Sequence, residues 1–155
     1  MQLTKNFSLS EFIDPSIYKE LGDTSIKLLD SRLPIIAQEV KDILTEHYKK
    51  NVRVTINGNL NGHIYTESGL RKDNTTTGAK WSDHKYGRAI DCKFSLDDST
   101  VLPIKDVYFI LTQADNLSRL LKLGLTTIED INYTKTWLHL SVRYTLKEGL
   151  TIVQP

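Results

Sequence analysis

Two histidines and one aspartate are the residues of this chain best suited to bind a metal ion. His84 and Asp91 are seven residues apart, and His139 follows much later in the chain. Imidazole nitrogens and carboxylate oxygens are typical zinc ligands, and three protein ligands leave the fourth position of a tetrahedral ion open. A single carboxylate offsets only part of the charge of the ion, which therefore stays a strong Lewis acid. Such a site typically hydrolyses amides or esters.

Side-chain alternation along two predicted strands places two of these residues on polar faces. His139 lies in the strand predicted over 136–144, and Asp91 lies in the one predicted over 88–94. Successive side chains of a strand point to opposite faces. In the first strand Leu138, Leu140 and Val142 form the apolar face, and Trp137, His139 and Ser141 point the other way. If the two strands are neighbours, Asp91 and His139 share a face, and His84, just before Gly87, can fold back towards the carboxylate.

Each candidate residue also has a simpler interpretation. A single histidine on a strand is usually a surface residue or a satisfied core residue, and Asp91 alone would be an exposed strand carboxylate. Trp137 is either a large packing residue or the wall of a pocket beside His139. His47 is most simply a helix-surface residue and His63 a loop residue, so neither is assigned a role.

Composition limits the class of protein. The chain of 155 residues has 39% hydrophobic and 25% charged residues, which is typical of one globular domain spanning residues 1–155. Its formal net charge of +1 comes from 20 basic and 19 acidic residues, which argues against a nucleic-acid partner. Cys92 is the only cysteine, so an internal disulfide and a cysteine zinc site are both excluded. We expect a monomer.

The N-terminal residues and the hydropathy of the chain predict the compartment in which the protein is synthesised. No secretory signal peptide is recognisable at the N-terminus, and no apolar run is long enough to cross a bilayer. We therefore expect cytoplasmic synthesis and no membrane span. Action outside a membrane would require release by another component or incorporation into a virion.

The order of the predicted elements indicates an α+β fold. Short helices are predicted over 7–22, a longer one over 34–48 after a break near 30–32, and two more over 103–113 and 117–123. Strands are predicted over 52–56, 88–94, 126–128, 136–144 and 150–153, with loops over 57–62 and 63–82 and a turn at 97–99. Helices are segregated from strands, so we expect a small, mostly antiparallel sheet with helices packed on one face.

Three short motifs carry a resemblance to a known family. Ser82-Asp83-His84, Gly87-Arg88-Ala89-Ile90-Asp91 and Trp137-Leu138-His139 resemble, in order and spacing, the signature of the zinc D-alanyl-D-alanine peptidases. That family includes phage L-alanoyl-D-glutamate endopeptidases and shares its fold with the hedgehog signalling domain. The segments 6–12 and 68–71 are also similar to segments of the family, so the likeness extends over most of residues 6–142.

The resemblance implies a function and a set of site residues. His84, Asp91 and His139 would bind Zn²⁺, and the domain would have the hedgehog/DD-peptidase fold. The substrate would be a peptidoglycan stem peptide cut at an amide bond, as by a phage endolysin that degrades the cell wall. Arg71 would grip a substrate carboxylate or carbonyl, a task suited to a guanidinium, although a solvated loop arginine is its simpler interpretation. Ser82 and Trp137 would also contact substrate.

The chain departs from the family pattern at the general base. Many members have a glutamate or aspartate three residues before the final histidine, where this chain has Thr136. Glu129 and Asp130 are the nearest upstream acids that could act as the base, and Asp83 is a weaker candidate. Two alternatives follow: a non-catalytic zinc-binding structural or virion tail module on the same fold, and a hydrolase acting on another class of substrate.

Overall fold

Four α-helices and seven β-strands are present in the computed structural model, which describes residues 1–97 and 99–154. The helices are α1 (Pro15–Leu21), α2 (Arg32–Tyr48), α3 (Ile104–Leu111) and α4 (Ala114–Lys122). The strands are β1 (Val52–Thr55), β2 (Gly58–Leu60), β3 (His63–Tyr65), β4 (Ala89–Leu96), β5 (Thr127–Glu129), β6 (Leu138–Ser141) and β7 (Thr151–Val153). Short 3₁₀ helices occupy Leu9–Glu11, Gly22–Leu28 and Asp83–Tyr86.

The helix boundaries follow local capping signals. Asp14 caps α1 by accepting a hydrogen bond of 2.8 Å from the backbone N–H of Ser16, and Pro15 occupies the first helical position, where no N–H is needed. Gly22 ends α1 with a positive φ of 53°. Pro34 lies in the first turn of α2, where its missing N–H breaks no helical hydrogen bond, so the predicted break before α2 is confirmed.

Five strands form a mixed sheet in the order β1-β4-β6-β5-β7. All neighbouring strands are antiparallel except β5 and β7, which are parallel. In the register of β4 and β6, Asp91 lies directly opposite His139. The predicted α+β class with a mostly antiparallel sheet is confirmed, and so is the shared face of these two residues.

One face of the sheet packs on helices α2, α3 and α4. The alternate residues Ile90, Cys92 and Phe94 of β4 are fully buried in a core with Leu33 and Val40 of α2 and further residues of α3 and α4. Burying such side chains stabilises the fold by about 1.5–3 kcal/mol each. Because these apolar side chains face the helices, the side chain of Asp91 points to the opposite face of β4.

The connection between β1 and β4 covers the polar face of the sheet. Its start contains the hairpin β2–β3, so the prediction of loops alone over 57–62 and 63–82 was wrong. The hairpin turn is Asn61-Gly62, with φ of 51° and 84°, and Asn-Gly is the residue pair that favours such a two-residue turn. Each of these strands has only three residues, too few for an alternating pattern to be recognised in the sequence.

The predicted turn at 97–99 includes Asp98, which lies outside the described residues. Next to it, the N–H of Ser99 donates to the carbonyl of Leu96 at 2.9 Å.

None of the helices within 1–97 and 99–154 has the length and apolar character needed to cross a membrane.

Candidate metal centre

Three elements bring the predicted metal ligands together. Asp91 lies on β4, His139 lies opposite it on β6, and His84 lies in the 3₁₀ helix just before β4. Gly87 joins that helix to β4 with a φ of 63°, and a Cβ there would stand 1.9 Å from the carbonyl oxygen of Leu28. Only glycine fits this close approach, so Gly87 allows His84 to fold back over β4.

The donor atoms of the three residues converge at one point. Nε2 of His84 lies 3.2 Å from Oδ1 of Asp91 and 3.2 Å from Nδ1 of His139, and that Nδ1 lies 2.9 Å from the same Oδ1. All three side chains are buried, with exposed fractions of 2%, 8% and 5% for His84, Asp91 and His139.

The hydrogen bond on the far side of His84 defines the chemistry of this cluster. Nδ1 of His84 lies 2.9 Å from the carbonyl oxygen of Gly69, which can only accept, so Nδ1 carries a proton. In the neutral ring Nε2 is then an acceptor, and it faces the carboxylate of Asp91, which is also an acceptor. An N–H at Nδ1 of His139, 2.9 Å from Oδ1 of Asp91, or a metal ion bound between the three atoms satisfies these acceptors.

The spacing of the donor atoms fits a metal ion. Ligands about 2.0–2.1 Å from a tetrahedral zinc ion are about 3.3–3.4 Å apart, and the observed separations of 2.9–3.2 Å are close to that. His84, Asp91 and His139 thus form a group that could hold a metal ion. Orientation of His84 by a backbone carbonyl is the outer-shell contact usual for a ligating histidine. Nε2 of His139 is buried and has no hydrogen-bond partner among the described residues.

Arg71 holds the second oxygen of Asp91. Its Nη2 donates to Oδ2 at 2.7 Å, and its Nε donates to the carbonyl of Glu67. Burial raises the pKa of Asp91, but the nearby rings of His84 and His139 more than reverse this and hold the pKa well below its usual range. Asp91 is therefore ionised, and the predicted contact of Arg71 with substrate stays a prediction.

Residues 67–71 connect the metal cluster to the rest of the fold, a positioning role that the sequence did not predict. The carbonyl of Ser68 accepts from the N–H of Asp91 at 2.7 Å, and the N–H of Arg71 donates to the carbonyl of His84 at 3.1 Å. Gly69 lies against the backbone of Phe12, where a Cβ would stand 2.1 Å from the carbonyl oxygen. The glycine is thus required for its carbonyl to reach His84.

Substituting Gly69 with alanine is expected to weaken metal binding by about 10–100-fold, since it moves the carbonyl that orients His84. The new Cβ also requires a backbone shift, which we expect to lower the midpoint of thermal unfolding. Calorimetric titration with Zn²⁺ measures the first effect, with Thr66→Ala, an exposed change in the same connection, as the control. Unchanged zinc affinity in Gly69→Ala would show that this carbonyl does not orient the ligand.

A cavity of about 400 Å³ opens onto the metal cluster. It brings together all the predicted site residues except Asp130. Its lining includes Arg71, Ser82, His84, Asp91, Glu129, Trp137 and His139, with Trp81, Asp83 and Arg143 in addition. Trp81, which is 72% exposed, was not predicted, because an isolated tryptophan in a polar loop carries no pattern that indicates a site.

Glu129 is the carboxylate best placed to accept a proton in this cavity. Its Oε1 lies 3.8 Å from Nδ1 of His139, and no described residue donates a hydrogen bond to it. Asp130 instead accepts from the backbone and side-chain nitrogens of Asn132 at 2.9 and 2.8 Å. Asp83 forms an ion pair with Arg143, with an Nε–Oδ2 distance of 2.6 Å. Of these three acids, only Glu129 is free to act on a bound molecule.

Cys92 does not contribute a ligand. It lies on the apolar face of β4, and burial raises the pKa of its thiol to about 12, so no thiolate forms near neutral pH.

Comparison of the chain with protein-family models, with curated proteins and with solved structures found no match.

Proposed function

We propose that this protein is a zinc-dependent peptidase of the hedgehog/DD-peptidase fold that hydrolyses an amide bond in peptidoglycan stem peptides. The observation that carries the proposal is the convergence of two imidazole nitrogens and one carboxylate oxygen within 3.2 Å, at the base of an open cavity. Two imidazole nitrogens and one carboxylate oxygen form a donor set that suits zinc.

The surroundings of the cluster favour a catalytic role for the metal over a structural one. Structural zinc sites use four protein ligands, whereas catalytic sites keep an open position. The described residues supply three ligands, and the cavity gives a substrate access to them. Zinc bound there would act as a Lewis acid that polarises a substrate carbonyl and acidifies water.

The protein side chains then have distinct tasks. Glu129 accepts the proton of the attacking water and delivers it to the leaving amine. Arg71 orients Asp91 through its ion pair, and its position in the cavity lining lets its guanidinium approach a substrate carbonyl as well. Trp137 and Ser82 contact the peptide, and Trp81 lines the same cavity.

The class of substrate comes from the motifs around the ligands. The segments 82–84, 87–91 and 137–139 resemble those of peptidases that cut the peptides of bacterial cell walls, and a phage lysin or a virion enzyme fits that substrate. The support for peptidoglycan thus lies in sequence likeness, and the support for metal-assisted hydrolysis lies in the geometry of the site.

A second candidate is a non-catalytic zinc-binding structural or virion module on the same fold. The observation in its favour is that Thr136, at the position of the family's usual base, lies outside the lining of the metal cavity. Both candidate functions include zinc binding, but only the first includes hydrolysis of a substrate.

The test combines metal analysis with a cell-wall assay. We expect about one zinc per chain by mass spectrometry, release of peptide fragments from purified peptidoglycan, and loss of both in His84→Ala. His47→Ala removes an exposed histidine of α2 and is the matched control. Zinc without any release of fragments would support the non-catalytic module, and absence of zinc would refute both candidates.

A further inference from the structure

One wall of the metal cavity is formed by the segment 72–81, which contains no helix or strand. Four of its residues line the cavity: Thr77, Gly78, Ala79 and Trp81. Among the described residues, the backbone–backbone hydrogen bonds of this segment are both local: the N–H of Thr75 donates to Lys72, and that of Ser82 donates to Ala79. Side-chain contacts therefore hold this wall against the rest of the protein.

The carboxylate of Glu67 holds the middle of the wall at two points. The hydroxyl of Thr75 donates to its Oε1, and the hydroxyl of Thr77 donates to its Oε2 at 2.6 Å. The N–H of Thr77 also donates to the hydroxyl of Thr75 at 3.1 Å, so the three residues form one network. The hydrogen bonds from Thr75 and Thr77 hold the pKa of Glu67 below its usual range, and bonds to an ionised carboxylate are stronger than bonds between neutral groups.

The backbone of Glu67 belongs to the segment that positions the metal ligands. Its carbonyl accepts from Nε of Arg71, whose Nη2 pairs with Asp91. The next residue, Ser68, donates its N–H to Oδ1 of Asn57 at 2.8 Å and accepts from the N–H of Asp91 at 2.7 Å. Glu67 therefore connects the cavity wall to the strand that carries Asp91, although Glu67 itself lies outside the cavity lining.

We propose that Glu67 is a positioning residue, which fixes the wall 72–81 relative to the metal cluster and so determines how tightly a substrate is held. It acts through Thr75 and Thr77, and it is neither a metal ligand nor part of the cavity lining. A substrate that lies against Trp81 loses this contact when the wall moves, while the reacting atoms at the metal cluster keep their positions. The effect on substrate rests on the proposed peptidase function, whereas the ordering of the wall does not.

Amide hydrogen exchange, followed by nuclear magnetic resonance, measures the order of the wall. Glu67→Ala removes both acceptors, so we expect the amides of residues 75 and 77 to exchange about tenfold faster than in the wild type. Thr77→Val removes one hydroxyl from an exposed side chain, so this variant tests the proposal even if Glu67→Ala does not fold. Glu148→Ala, an exposed change in the loop before β7, is the control with unchanged exchange. Wild-type exchange at residues 75 and 77 in the first two variants would overturn the proposal.

Steady-state kinetics of fragment release from peptidoglycan distinguish positioning from a merely structural role. We expect Glu67→Ala to raise KM about tenfold, with kcat within about twofold of the wild type and with the zinc content unchanged. Glu67→Gln keeps one carbonyl acceptor, so its KM is expected to lie between those of Glu67→Ala and the wild type. An unchanged KM in Glu67→Ala would overturn the positioning role alone. Absence of hydrolysis by the wild-type protein would overturn it together with the proposed function.

Discussion

Asp91→Ala is expected to destabilise the protein by about 3–5 kcal/mol and to abolish zinc binding. Asp91 is the only carboxylate among the three ligands and the ion-pair partner of Arg71, whose side chain is 8% exposed. Removing the carboxylate leaves a buried guanidinium without its counter-ion. Urea unfolding of the metal-free proteins measures this loss separately from the contribution of bound zinc.

A double variant separates the two roles of Asp91. Arg71→Met in the Asp91→Ala background removes the unpaired charge, so we expect it to recover part of the lost stability without restoring zinc binding. Asp73→Ala, an exposed change in the same connection, is the control. A loss below about 1 kcal/mol in metal-free Asp91→Ala would contradict the buried pairing of Asp91 with Arg71.

Glu129→Gln is expected to retain zinc and to lower the rate of peptidoglycan hydrolysis by about 10²–10⁴-fold. Glutamine keeps the shape of the side chain but cannot accept the proton of the attacking water. The charge of Glu129 is not needed for the metal cluster, because the three ligands do not include it. Rates of fragment release by zinc-loaded proteins at equal concentration measure the effect.

Asp130→Asn is the matched control, because Asp130 bonds to Asn132 outside the cavity lining. We expect its rate to stay within a few-fold of the wild type. If Glu129→Gln kept the wild-type rate while Asp130→Asn lost it, the assignment of the base would be reversed. If both kept it, neither acid would be the base.

The shared face of Asp91 and His139 was predictable because strand alternation has a period of two residues. Apolar neighbours at 90, 92, 138 and 140 fix which face is buried against the helices, and the remaining face is then left for the ligands. That β4 pairs with β6 was assumed from the sequence and not predicted. Adjacency of strands distant in sequence depends on the packing of the whole chain, which local patterns do not encode.

The groups around the ligands were harder to predict, because their roles depend on contacts between distant segments. Gly69 acts through its backbone carbonyl, which every residue possesses, so its type indicates a close approach but not its partner. Arg71 was expected to face substrate, and its ion pair with Asp91 spans 20 residues. Glu129 and Asp130 are neighbours in sequence, and only their side-chain directions at the end of β5 distinguish them.

The resemblance to zinc peptidases selected the same three residues that the structure brings together. The α+β architecture follows from the order and periodicity of the elements, whereas the hedgehog/DD-peptidase fold stays a prediction. Zinc and peptidoglycan hydrolysis are likewise proposals that rest on the donor set, the cavity and the motifs.

We propose that His84, Asp91 and His139 bind a catalytic zinc ion. Anomalous X-ray diffraction at the zinc absorption edge, from crystals of the zinc-loaded protein, tests this directly. We predict one strong peak about 2.0–2.2 Å from Nε2 of His84, Nδ1 of His139 and Oδ1 of Asp91. A zinc peak elsewhere on the protein, with none between these three atoms, would contradict the claim.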